Sequence, residues 1–434
     1  MRVVVAALVA AGLLVVPLAS AATFGRPAEI PLVRAPTAVA DVDATGDGLG
    51  DLVLANATGP PLTVLTGDQN GSFTAPLDVG TGPAPSSFAV ADFDGDGAND
   101  LAVAGGGEIA IYYSADGTLV RRTVLHAPDV SRVTAADLDL DGNYDLVATS
   151  AARSTLTVFA GTGEGAFLPG RDYATGNPPA AIFVADLNGD EFPDVAVGGN
   201  ALTVLFNNAD GTLGSPVATD QPSEITALAG DDVDADGDVD LVAASRPNLV
   251  TVLVNSGDGH FLHEDSYAVG AAPVAVGIGY LDDDDDGSLD VVTVNRGTND
   301  VSILRGVGDG HLAEETRIKV GKGPAGLDVD DLNGDGLNDL VIPNRLGKSV
   351  TVMLQGADAP QPVVCLVPSV AGRRLAVARR LVGAANCKVT TLRRKFSGRV
   401  KKGKVISIAP VPGTRRPVGT SVTLLVSRGP KKKR

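Results

Sequence analysis

An all-β repeat architecture followed by a small α+β unit is what this chain of 434 residues predicts. Three observations carry that expectation. An acidic loop of the form D-x-[DNT]-x-D-G-x-x-D returns seven times, beginning at Asp43, Asp92, Asp137, Asp186, Asp232, Asp282 and Asp331, at intervals of 45–50 residues. A period in that range marks an array of equivalent units. Gly at 53 and Pro at 27 suit a turn-rich β protein better than a helical one. The charge is also divided: residues 361–434 hold 19 Lys/Arg and no acid, leaving residues 1–360 with 16 basic against 52 acidic residues, a balance of −36. Such asymmetry separates domains with different partners.

The first element is MRVVVAALVAAGLLVVPLASAAT, with Arg2, an apolar run and a small-residue exit at Ala19-Ser20-Ala21. It reads as a secretory signal over residues 1–21, too short and too weakly flanked for a retained span. No other apolar run approaches the ~18 residues a membrane helix needs. The mature chain is therefore expected to be secreted or cell-wall associated, with no membrane span.

Each repeat then shows one order of parts. The acidic loop leads into a β-rich run such as DLVLAN (51–56) or DLVIPN (339–344), and an alternating strand such as LTVLTG (62–67) or VTVLVN (250–255) follows. A Gly/Asp turn, a further strand near a Gly-x-x-Pro segment and an apolar run close the unit. Four short strands with period-2 alternation and Gly/Asp turns describe an antiparallel blade. The last repeat stops after VTVMLQGADA, without its final strands, and Thr23–Val42 matches that missing half. The chain ends should thus complete one blade together, giving a seven-bladed β-propeller over residues 22–358 with no open edge. An open solenoid, the competing architecture, leaves the matching ends unexplained.

These loops resemble those of the FG-GAP or VCBS repeat family, which is similar to the propeller head of integrin α subunits. The resemblance implies the propeller fold over about residues 23–358. Propellers of that family serve adhesion, carbohydrate recognition and sometimes catalysis.

The content of the loops points to a hard cation. Side chains at positions 1, 3, 5 and 9 are expected to converge, with a backbone carbonyl from position 7 and Gly at position 6 for the sharp turn. The expected ligands are Asp43, Thr45, Asp47 and Asp51; Asp92, Asp94, Asp96 and Asp100; Asp137, Asp139, Asp141 and Asp145; and Asp186, Asn188, Asp190 and Asp194. The last three loops offer Asp232, Asp234, Asp236 and Asp240; Asp282, Asp284, Asp286 and Asp290; and Asp331, Asn333, Asp335 and Asp339. All-oxygen sets rich in carboxylates select Ca²⁺ over softer metals. Up to seven structural Ca²⁺ ions are expected. An EF-hand needs Glu at position 12 and flanking helices; here position 12 is apolar, as at Val103, and the flanks are strands. The fourth loop carries Glu191 where the others have Gly, so it is expected to be the poorest in geometry.

Residues 359–434 form the second domain. Arg373–Ala385 places Leu375, Ala378, Leu381, Val382 and Ala385 on one helical face, and strands are expected at 388–392, 405–409 and 422–427. Cys365 and Cys387 are the only cysteines, and in an oxidising compartment such a pair is expected to form a disulfide. The frame VPSVAGRRLAVARRLVGAANCKV…KGKVISIAPVPGTRRPVGTSVTLLVSRG resembles a PASTA domain. That family is appended to bacterial cell-wall kinases and penicillin-binding proteins and is linked to peptidoglycan. The patch Arg393, Arg394, Lys395, Arg399, Lys401, Lys402 and Lys404 and the tail Lys431–Arg434 would attract an anionic cell-wall polymer, or rest on the acidic propeller.

No HExxH, GxSxG or other nucleophile arrangement involves His126, His260, His263 or His311, so no enzyme is expected. Nucleic acid is disfavoured by export and by a basic segment whose lone aromatic is Phe396. The expected function is a calcium-binding, extracellular binding or adhesion module whose partner is a protein or glycan. A lectin-like propeller is the alternative, weakened by the absence of Trp, and a polysaccharide-acting enzyme is a further, less favoured one.

Overall fold

The computed structural model describes residues 24–430 except 69, 75, 81–82, 116–117, 220–223, 282–286, 357–363, 367–369, 376–377, 380–381, 383–386, 412–414 and 418–420. The expected signal segment and the tail Lys431–Arg434 lie outside them.

The alternation of apolar and small residues folds the repeats into seven four-stranded antiparallel sheets. In the first, Pro36–Val42, Asp51–Asn56, Leu62–Leu65 and Leu77–Val79 lie in chain order. The next five sheets begin at Ser87–Ala91, Arg132–Ala136, Ala181–Ala185, Ile225–Asp231 and Pro273–Gly279 and repeat that order. The last takes Asp328–Asp330, Asp339–Asn344 and Ser349–Met353 from the end of the repeats and its fourth strand, Ala28–Pro31, from the start of the chain. The register pairs Ala28 with Val352 and Pro31 with Ser349.

The second strand of a sheet is buried throughout, as in Asp51–Asn56, Asp145–Ser150 and Asp339–Asn344. Strands covered on both sides need neighbours on both sides, and the cores supply them. Each apolar cluster is shared by two consecutive sheets: Val53 and Leu62 pack with Leu101 and Tyr112, and Leu146 and Phe159 with Ile109 and Ile111. The series returns on itself, because Leu52, Leu54 and Phe73 of the first sheet pack with Val341, Val350 and Val352 of the last. The first strands of successive sheets also touch in order, and Asp328–Asp330 touches Pro36–Val42. The sheets therefore close a circle, with their first strands around its axis.

The C-terminal unit has its own core of Val370, Ala378, Val382, Cys387, Val405, Ile408, Val422, Leu424 and Val426. Ser421–Ser427 lies between Lys388–Lys395, in parallel, and Val405–Ala409, antiparallel. Of the expected helix, Leu375, Ala378, Arg379 and Val382 are helical, while Leu381 and Ala385 lie outside the described residues. Val364–Leu366 forms a two-stranded ribbon with Arg415–Pro417, and that second strand was not anticipated by the sequence pattern. Cys387 is buried and disulfide-bonded. Cys365 stands on the ribbon, its side chain outside those described.

Candidate metal centre

Each acidic loop lies between the first and second strands of a sheet, so the described loops gather at one end of the circle. Their folding is dictated by short-range carboxylate chemistry. Aspartate side chains bind backbone N–H groups a few residues on and so stabilise tight turns. In the second loop, Asp92 accepts from Asp96 N–H at 3.1 Å and Gly97 N–H at 2.8 Å, and Asp96 accepts from Ala98 N–H at 2.8 Å. The first, third, fourth, fifth and seventh loops repeat these bonds from Asp43, Asp137, Asp186, Asp232 and Asp331. Position 6 takes a left-handed backbone throughout, φ +89° at Gly97 and +99° at Gly237, and also +75° at Glu191. The fourth loop thus keeps the common fold despite its side chain.

Position 9 also binds the backbone, a part the sequence pattern did not show. Asp51, Asp100, Asp145, Asp194, Asp240, Asp290 and Asp339 each open a second strand and are buried. One carboxylate oxygen of Asp100 accepts the N–H of Phe93 in its own loop at 3.0 Å, and the other accepts the N–H of Ser114 in the third strand at 2.9 Å. Asp145 brackets Leu138 and Gly161, Asp194 brackets Leu187 and Asn207, and Asp339 brackets Leu332 and Gln355 in the same way. These aspartates fasten the loop to the sheet. Burial pushes the carboxyls of Asp100, Asp145, Asp194 and Asp240 up to about 6 and that of Asp339 to about 7, while the backbone bonds pull the other way.

Carboxylate oxygens meet within 4.8 Å in three loops: Asp92, Asp94 and Asp96; Asp137, Asp139 and Asp141; and Asp232, Asp234 and Asp240. Asp100, Asp145 and Asp236 neighbour these groups without completing them. Among the described residues, the first, fourth and seventh loops bring no three acids together, consistent with Thr45, Asn188 and Asn333 at position 3. Asp282, Asp284 and Asp286 of the sixth loop lie outside the described residues; Asp290 is described and binds the N–H groups of Leu281 and Gly306.

Sequence reasoning missed the residues that tie three of the loops to the neighbouring sheet. The Asn207 side-chain amide donates to the Leu138 carbonyl at 2.8 Å, and that of Asn255 donates to the Leu187 carbonyl at 2.8 Å. Ser114 Oγ donates to the Asp43 carbonyl at 3.3 Å. Their signal was a polar residue at the end of the third strand in FNNADG, VNSGDG and YYSADG.

A circle of four-stranded sheets with acidic turns at one end defines an all-β repeat protein of the propeller-like class. More narrowly, the chain carries FG-GAP-like repeats, matched at residues 43–103, 92–148, 137–197 and 282–342, and a PASTA domain at 366–428. No curated protein matches the chain. Among solved structures it is similar to BBS1N in complex with ARL6DN (14% identity, TM-score 0.56, covering 78% of this chain and 99% of that one). It is also similar to the β-propeller domain of Myceliophteria thermophila Cps50 (Swd1), at 12% identity and TM-score 0.52, covering 75% and 98%. An Agrocybe aegerita lectin that recognises non-reducing terminal N-acetylglucosamine aligns at 18% identity and TM-score 0.50, covering 75% and 86%. At these identities the likeness is one of fold. The repeats and the PASTA domain together indicate a β-propeller binding module, and the PASTA domain suggests an extracellular or cell-wall context. No described helix is long and apolar enough to cross a membrane.

Proposed function

We propose that the seven sheets form a seven-bladed propeller whose acidic loops hold structural Ca²⁺. In this reading the chain is exported, the propeller binds an extracellular protein or glycan, and the PASTA domain contacts an anionic cell-wall polymer or peptidoglycan. The observation that carries it is the union, in one chain, of an acidic repeat body with a PASTA domain holding 19 Lys/Arg and no acid. The loops fit the metal by the chemistry of their donors, since positions 1, 3 and 5 supply only oxygen and three loops already bring three carboxylates within 4.8 Å. Asp92, Asp94 and Asp96, Asp137, Asp139 and Asp141, and Asp232, Asp234 and Asp240 would hold it. Bound Ca²⁺ would neutralise mutually repelling carboxylates, while the position-9 aspartates fasten the loops to the sheets. The same reading pairs Cys365 with Cys387.

Sedimentation of the full chain with purified cell wall tests the binding role. Pelleting is expected at low salt, weakening as added salt screens surface charge, and truncation after residue 360 should abolish it. Absence of pelleting at low salt would contradict the cell-wall contact.

Sugar binding by the propeller is a second reading, favoured by a cavity of about 270 Å³ between the second and third sheets. His126, Arg153, Phe159 and Asp172 line it. A glycan array probed with the full chain distinguishes this from a protein ligand.

A further inference from the structure

The end of the circle opposite the acidic loops carries a set of arginines. Arg246, Arg296 and Arg345 each follow the second strand of their sheet directly, after Ser245, Asn295 and Asn344, so three successive repeats present an arginine at the same place. Arg132 opens the axial strand of the third sheet. Arg296 is within Coulombic reach of Arg132, and also of Arg246 and Arg345. Four of the 16 basic residues in the acidic body therefore stand at this end, three of them around Arg296.

Two of these guanidinium groups are held in place across sheet boundaries. Arg132 Nε donates to the Ala180 carbonyl at 3.2 Å, and Arg296 Nε donates to the Pro324 carbonyl at 3.2 Å. Among the described residues none of the four forms an ion pair, whereas Arg34 pairs with Asp78, Arg121 with Glu108, Arg153 with Asp172 and Arg317 with Glu315. Beside Arg132 lies a cavity of about 210 Å³ on the axis of the circle, walled by Ser87, Thr134, Ile182, Leu228 and Val276 of five different sheets. Burial, and then the charge of a neighbouring arginine, hold Arg132 and Arg296 below the ordinary arginine value. Neighbouring like charges that no carboxylate pairs are costly unless an anion joins them.

We propose that this axial cavity, lined by Arg132 with Arg296, Arg246 and Arg345 at the same end of the circle, is an oxyanion-binding site, taking a phosphate or carboxylate group of the propeller's ligand. Planar guanidinium forks match both groups in two-point geometry, and convergence of four positive charges favours the doubly charged phosphate. The site deepens the reading of the repeats as a binding module. It does not depend on calcium or on the cell-wall contact, so either can fail without affecting it.

Calorimetric titration of the full chain with sodium phosphate, against sodium chloride at matched ionic strength, tests the site. Saturable phosphate binding is expected, with acetate weaker and chloride silent. R132Q and R296Q should each weaken phosphate by at least about tenfold, and the exposed-site variants R246Q and R345Q by less. R153Q, which removes a guanidinium paired with Asp172, should leave it unchanged. The basic C-terminal domain is the rival location. Wild-type affinity in all four channel variants would place the anion there and overturn the proposal, as would failure of phosphate to saturate.

Discussion

Asp41 and Asp328 meet where the first and last sheets join, the Asp41 N–H donating to Asp328 Oδ2 at 2.7 Å. Burial first, then the charges of Asp328, Asp330 and Asp51, push the Asp41 carboxyl up to about 7, and burial leads in pushing Asp328 to about 6. Both lie above the ~3.9 of an unfolded aspartate. Between about pH 4 and 7 the folded state therefore keeps protons that the unfolded state has lost, and stability falls as pH rises through that window. Asp41→Asn removes the charge but keeps the backbone donor. The variant is expected to melt above the wild type at pH 8, with the gain shrinking toward pH 4; a variant less stable than wild type at pH 8 contradicts this account.

At the scale of the element, the acidic loop is built by its own side chains, which is why it was legible. Positions 1 and 5 act on N–H groups two to five residues away, so the motif is contained in nine consecutive letters. The structural part of position 9 was not legible because its second partner lies in the third strand, 14 residues on from Asp100 to Ser114, and no local pattern reports that the oxygens of Asp100 bind backbone N–H groups. The contacts from Asn207 and Asn255 to a neighbouring sheet span 69 and 68 residues and were hidden for the same reason. The ribbon Val364–Leu366 with Arg415–Pro417 has three residues per strand, too few for alternation to register. Glu191 was legible as an exception, and its φ of +75° makes it testable. Glu191→Gly should stabilise the protein by about 1 kcal/mol by removing the left-handed penalty, measured by chemical denaturation. A loss of stability would mean that the Glu191 side chain contributes more than its backbone costs.

The whole molecule rests on closure. Ala28–Pro31 covers the outer edge of Ser349–Met353, and the core between the last and first sheets includes Ile30 and Leu32. An uncovered strand edge is a template for association. Removal of residues 24–35 is expected to lower the melting temperature and to produce oligomers on size exclusion; a monomer that melts like the wild type would show that the circle does not need this strand. The circle itself was legible because matching chain ends are a property of the repeat, whereas the arginines at its other end were not, since Arg132 joins Arg246, Arg296 and Arg345 only in three dimensions. Charge is the remaining property of the whole. Six described acidic loops share one end of a body at −36, and a cation bound only by the folded state would stabilise it by mass action. Thermal melting of the full chain in chelator, in millimolar Ca²⁺ and in millimolar Mg²⁺ tests that most directly. The account predicts a rise with Ca²⁺ that Mg²⁺, which gives up its water reluctantly, does not match; identical melting in chelator and Ca²⁺ would contradict it.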